Sequence, residues 1–182
     1  MSIPNIITSL RVLLIPVLVV LFYLPYDWHN LAASLVFVLA SISDWLDGYL
    51  ARKWNQLTPF GAFFDPVADK LLVAVALVLL VEAHASIWLT VPAMVIMGRE
   101  IVISALREWM AELGKRTSVA VSYIGKVKTA LQMIAIIVLL LDEPGTLIAQ
   151  LGLVLLYSAA ALTLWSMIAY LRAAWSDLTE KI

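Results

Sequence analysis

From Leu147 to Leu171 the chain carries no Asp, Glu, Lys or Arg. As an α-helix rising about 1.5 Å per residue, a run of that length crosses the roughly 30 Å of hydrocarbon in a bilayer. Five other apolar runs precede it: Ile6–Leu24, Leu31–Ala51, Asp65–Val81, Ile87–Arg107 and Val127–Leu141. The third and fifth fall short of the ~20 residues a span needs, a deficit that extension into the interface accommodates. Breakers sit where turns are required: Pro25 after the first run, Pro59 and Gly61 before the third, Pro144-Gly145 before the last. With 63% hydrophobic residues, 14% charged residues and a mean hydropathy of +0.97, a body of 182 residues has too little interior to hide its apolar surface from water. The sequence therefore predicts an all-α polytopic membrane protein, one domain over 1–182 with six transmembrane helices. No basic stretch precedes the first run, which reads as a retained helix rather than a removable signal.

The cations orient the spans. Of the twelve lysines and arginines, none lies in Pro25–Asn30, Glu82–Ser86 or Asp142–Thr146. Arg11, Arg52, Lys53, Lys70, Arg107, Lys115, Arg116, Lys126, Lys128, Arg172 and Lys181 all fall on the opposite side, with Arg99 inside the fourth run. Positive charge marks the cytoplasmic face, so both termini are expected there. The net charge of -1 implies no attraction to nucleic acid, and without cysteine there is no disulfide, thiolate ligand or thiol nucleophile.

Against this background four aspartates stand out, Asp44, Asp47, Asp65 and Asp69. Asp44 and Asp47 are three apart, Asp65 and Asp69 four apart, so each pair shares a helix face. The short connection between the second and third runs brings the two pairs to one depth, near the cytoplasmic interface. Clustered carboxylates in a low dielectric repel one another and need protonation, nearby cations such as Arg52, Lys53 or Lys70, or bound divalent ions. An all-oxygen donor set suits Mg²⁺ or Mn²⁺, and two such ions about 4 Å apart serve displacement at phosphorus. The bland alternative makes the aspartates helix caps and boundary charges, with Asp65 as the plausible cap.

The pattern Asp44-x-x-Asp47-Gly48-x-x-Ala51-Arg52, then eight residues, then Gly61-x-x-x-Asp65-x-x-x-Asp69 resembles the signature of the CDP-alcohol phosphotransferase family without a departure. The stretches Pro4-Asn5-Ile6-Ile7-Thr8-x-x-Arg11, Gly98-Arg99-Glu100 and Gly125-Lys126-Val127-Lys128-Thr129 are similar to its bacterial members that use glycerol 3-phosphate as acceptor. The resemblance implies transfer of the phosphatidyl group from CDP-diacylglycerol to glycerol 3-phosphate, with release of CMP. It implies two divalent ions, Mg²⁺ or Mn²⁺, on Asp44, Asp47, Asp65 and Asp69, with Asp69 also the general base. Asp47, Gly48, Ala51, Arg52 and Gly61 are then expected around the CDP moiety. A homodimer in the bacterial inner membrane, with its active site facing the cytoplasm, is implied in the same way.

An acceptor that carries a phosphate needs cations, and Arg107, Lys126 and Lys128, with Thr129, are the candidates, near Lys115 and Arg116. These residues serve equally as topology markers and lipid-headgroup contacts. Arg99–Glu100 reads as a structural intramembrane pair. His29 and His84 lie in opposite-side connections and are set aside. So is Ser43, which has no histidine base on its side of the membrane. No G-x-x-x-x-G-K-[ST] loop is present, which argues against ATP chemistry. Inositol phosphate, serine or a second phosphatidylglycerol remain open as acceptors on the signature alone. A cation transporter fits less well, because the ionisable groups crowd one boundary instead of spanning the bilayer depth.

Overall fold

In a computed structural model, which describes residues 3–54, 58–112 and 123–179, every predicted run forms one α-helix. They are α1 (Ile3–Phe22), α2 (His29–Lys53), α3 (Pro59–His84), α4 (Ile87–Glu112), α5 (Tyr123–Leu141) and α6 (Leu147–Thr179). Among the described residues two helical segments, Ile87–Glu112 and Leu147–Arg172, are long and apolar enough to cross a membrane; Ile6–Phe22, His29–Asp44 and Val127–Leu141 are shorter apolar stretches.

The chain divides into two compact units. The first holds α1, α2, α3, the end of α5 and the start of α6. In it the buried positions of α1 are Thr8, Arg11, Ile15 and Leu18, one stripe at helical spacing. On α2 the stripe is Ala33, Phe37, Ala40 and Asp47, and on α3 it includes Ala68, Leu72, Ala76 and Leu80. The α3 positions named are apolar, and the stripes of α1 and α2 turn polar at one end. The register that packs the core thus also delivers the polar side chains to each other. The Ser34 hydroxyl donates to the Ile137 carbonyl at 3.2 Å, which ties α2 to α5. Gly152 of α6 lies flush against Leu139 of α5.

The second unit comprises α4, the first part of α5 and the rest of α6. Its α4 buries Leu89, Ala93, Ile96, Arg99, Ile103, Leu106 and Met110. Ile103, Leu106 and Met110 pack with Tyr170, flanked by Met167 and Leu171 of α6.

The distribution of polarity is inverted relative to a water-soluble bundle. Arg11, Asp47, Arg99, Lys128, Gln132, Thr163 and Ser166 are buried, whereas Leu13, Phe63, Val78, Val154 and Trp165 are each more than 60% exposed. So many exposed large apolar side chains are unfavourable in water and favourable against hydrocarbon.

Local signals explain the helix ends near the aspartates. Thr58 is extended (φ -114°, ψ 148°) and caps α3, its hydroxyl accepting from the Gly61 amide at 3.0 Å, with Pro59 at the first helical position. Asp65 is therefore not the cap that its place in the sequence suggested; it lies inside α3. Pro66, directly after it, removes one rung of the helix ladder beside the carboxylates.

Candidate functional site

Thr8 and Arg11 stand one turn apart on α1 and meet aspartates from both neighbouring helices. Arg11 is completely buried; its Nη2 donates to Asp47 Oδ2 at 2.5 Å, and its Nη1 lies 2.8 Å from Asp44 Oδ1. The Thr8 hydroxyl is 3.1 Å from Asp47 Oδ2 and 2.7 Å from Asp65 Oδ1. It has one proton, so it donates to one of these oxygens at a time. Thr8 and Arg11 thus join Asp44, Asp47 and Asp65 in one network that spans three helices. Asp47 is 2% exposed, whereas 42% of the Asp44 side chain remains accessible, so the network is sealed at one end and reachable at the other. Asp69 is half-buried one turn beyond Asp65 on α3.

The sequence offers Arg52, Lys53 and Lys70 as counter-charges; among the described residues the cation on Asp44 and Asp47 is Arg11, which the sequence marks only as a topology signal. Its signal was available: Arg11 is the one charged residue in the whole of α1. An ionisable group within an apolar helix ordinarily has a buried partner. Lys53 holds its ammonium 5.7 Å from the centroid of the Tyr49 ring. Gly48, Ala51 and Arg52 occupy the last turns of α2, and their side-chain surroundings lie outside the described residues. Gly61 is buried in the first turn of α3, where its amide serves the Thr58 cap.

A second polar cluster belongs to the other unit. Arg99 Nη1 donates to Glu100 Oε1 at 2.7 Å, and Lys128 Nζ donates to the same oxygen at 3.3 Å. The Arg99 and Lys128 side chains are 6% and 4% exposed. The expected Arg99–Glu100 pair is present, with Lys128 as a third member that spacing alone could not reveal. Among the described residues, two buried cations against one carboxylate leave an excess of positive charge. Arg107 is exposed, its guanidinium 5.8 Å from the Tyr170 ring centroid. Thr129 is also exposed and, one residue on from buried Lys128, points about 100° away around α5. Lys115, Arg116 and the Lys126 side chain lie outside the described residues.

Among the described residues no three His, Asp or Glu side chains stand close enough together to hold a metal ion. The donor chemistry nevertheless fits a hard divalent cation. The carboxylates supply oxygen only, and Asp47 and Asp65 converge from two helices on a single hydroxyl.

Residues 1–165 match the sequence profile described as CDP-alcohol phosphatidyltransferase. A protein of Pseudomonas fluorescens named CDP-diacylglycerol–glycerol-3-phosphate 3-phosphatidyltransferase is 61% identical over 180 residues, covering 98% of this chain and 92% of its own. Proteins of the same name from Salmonella choleraesuis (strain SC-B67) and Shigella flexneri are each 57% identical, covering 99% of this chain and 98% of their own.

Proposed function

The chain belongs to the CDP-alcohol phosphatidyltransferase family, and from that premise we propose that it is the enzyme that transfers the phosphatidyl group of CDP-diacylglycerol to glycerol 3-phosphate, releasing CMP. The observation that carries this reading is identity of 57–61%, over nearly the whole chain, to relatives named for that reaction. The product, phosphatidylglycerol phosphate, feeds anionic phospholipid synthesis.

The acceptor's primary hydroxyl oxygen forms a bond to the phosphatidyl phosphorus, and the bond from that phosphorus to the bridging oxygen of CMP breaks. Asp69 takes the hydroxyl proton. Asp44, Asp47, Asp65 and Asp69 would hold divalent ions, Mg²⁺ or Mn²⁺, which when bound neutralise charge developing on the transferring and leaving phosphates. Asp47, Gly48, Ala51, Arg52 and Gly61 receive the CDP moiety, where glycine permits close backbone approach and arginine offers paired donors to phosphate. Arg107, Lys126, Lys128 and Thr129 bind the acceptor phosphate; the surplus positive charge around Glu100 supports that role for Lys128.

Six spans, cytoplasmic termini, a cytoplasm-facing site in the bacterial inner membrane and a homodimer complete the reading. The apolar exterior, the buried polar groups and the one-sided cations support the membrane part. We take 1–182 as one integral-membrane domain, because the family match runs through both compact units.

The test is CMP release from CDP-diacylglycerol by the purified protein in Mg²⁺, offered glycerol 3-phosphate, inositol phosphate, serine or phosphatidylglycerol in turn. Glycerol 3-phosphate alone should support turnover. Asp69→Asn, still folded, should lose about 10²–10⁴-fold of it, the usual contribution of a positioned base. Turnover with serine or inositol phosphate instead would reassign the acceptor, and full activity of Asp69→Asn would remove the base.

A further inference from the structure

Arg11 occupies an unusual position for a buried cation. It contacts two carboxylates that, on the reading above, are metal ligands, and it reaches them from a helix that contributes no carboxylate of its own. It is completely buried, and its Nε has no hydrogen-bond partner among the described residues. Charge, rather than a full set of hydrogen bonds, therefore holds the guanidinium in place. We propose that Arg11 is a positioning residue, a built-in countercharge that keeps Asp44 and Asp47 together when no divalent ion is bound and with which an incoming ion must share them.

Two consequences follow, and they differ in sign. Without the guanidinium, Asp44, Asp47 and Asp65 repel one another inside a low-dielectric site, so the metal-free protein is less stable. Without it, an incoming divalent ion also no longer faces a fixed positive charge on the same oxygens, so the ion binds more tightly. Thr8 makes the contrast. It is neutral and links Asp47 to Asp65, so its removal loosens the cluster without relieving any repulsion. The sequence spacing agrees with a joint role, since Thr8 and Arg11 are three apart and share one face of α1.

The inference rests on the metal-binding reading of the aspartates, and its test separates the two. Mn²⁺ alone is titrated into the purified full chain, bound metal is followed by electron paramagnetic resonance, and the melting temperature is recorded in chelator and in Mg²⁺. Arg11→Gln should lower the Mn²⁺ dissociation constant about tenfold, as relief of a close charge repulsion implies. It should also melt lower than the parent in chelator and recover more on addition of Mg²⁺. Thr8→Val should weaken Mn²⁺ binding, the opposite direction. Should Arg11→Gln fail to fold, Arg11→Lys takes its place. A point charge cannot bridge both carboxylates as a planar guanidinium does, so this variant should also melt below the parent in chelator and be rescued by Mg²⁺. Arg11→Gln binding Mn²⁺ as the parent does, or more weakly, overturns the proposal while leaving the metal site standing. So does Arg11→Lys melting like the parent in chelator. A parent that binds no Mn²⁺ overturns both.

Discussion

Glu100 accepts hydrogen bonds from two almost fully buried cations, Arg99 and Lys128, so its loss leaves both without that carboxylate. Glu100→Gln keeps the shape and removes the carboxylate charge. Breaking a buried ionic network in this way costs about 3 kcal/mol or more, and the purified variant should show it as a lowered melting temperature in detergent. Arg107 differs, being exposed and resting over Tyr170. Arg107→Ala should raise the KM for glycerol 3-phosphate about tenfold and leave the melting temperature nearly unchanged. An unaltered KM would exclude Arg107 from the acceptor pocket. At this scale the sequence disclosed residue types and spacing but not partners. The four aspartates were legible from their repeat on two helices. Arg11 as their countercharge was not, because its contacts span 33 and 36 positions along the chain, from 11 to 44 and to 47.

Among the elements, the α5–α6 contact at Gly152 is tightly constrained. A Cβ on Gly152 would lie 2.7 Å from Leu139 Cγ and 3.2 Å from the Leu139 backbone nitrogen. The Leu139 side chain can shift, but its backbone yields less readily, so Gly152→Ala should destabilise the protein by about 1–3 kcal/mol, measured by thermal melting. The end of α3 carries a pH signal. Burial pushes the His84 imidazole below its ordinary range, opposed in part by the bond between Nδ1 and the Leu80 carbonyl, while Nε2 is buried without a partner among the described residues. The folded state therefore binds the His84 proton less readily than the unfolded chain does. Stability should be full above the unfolded value of about 6.5 and should fall as pH drops through and below it. In His84→Asn that part of the pH dependence of melting should disappear. Helix number and order were readable from apolar runs and breakers. The true start of α3 was less so: Thr58-Pro59 begins the helix well before the apolar run that marked it, which moves Asp65 from a cap to the helix interior.

For the whole molecule, the question is which side of the bilayer each connection faces. The chain has no cysteine, so single cysteines are clean reporters. Cysteines placed at Tyr26, Ala83 or Glu143 should react with a membrane-impermeant thiol reagent added to intact cells. Cysteines at Lys53 or Glu112 should react only after permeabilisation. The reverse pattern would invert the topology. The sequence by itself determined the helical class, the number of helices and the identity of the acidic signature. Those properties depend on period, length and residue type, which are local. Only tertiary structure decided which cation meets which carboxylate, and that Thr8, Arg11, Asp44, Asp47 and Asp65 form one network while Lys128 joins Arg99 and Glu100. Such pairings depend on the rotation of each helix about its axis. That rotation is set by packing positions such as Phe37 and Ala40 or Leu72 and Ala76 against neighbouring helices, and no local pattern specifies it.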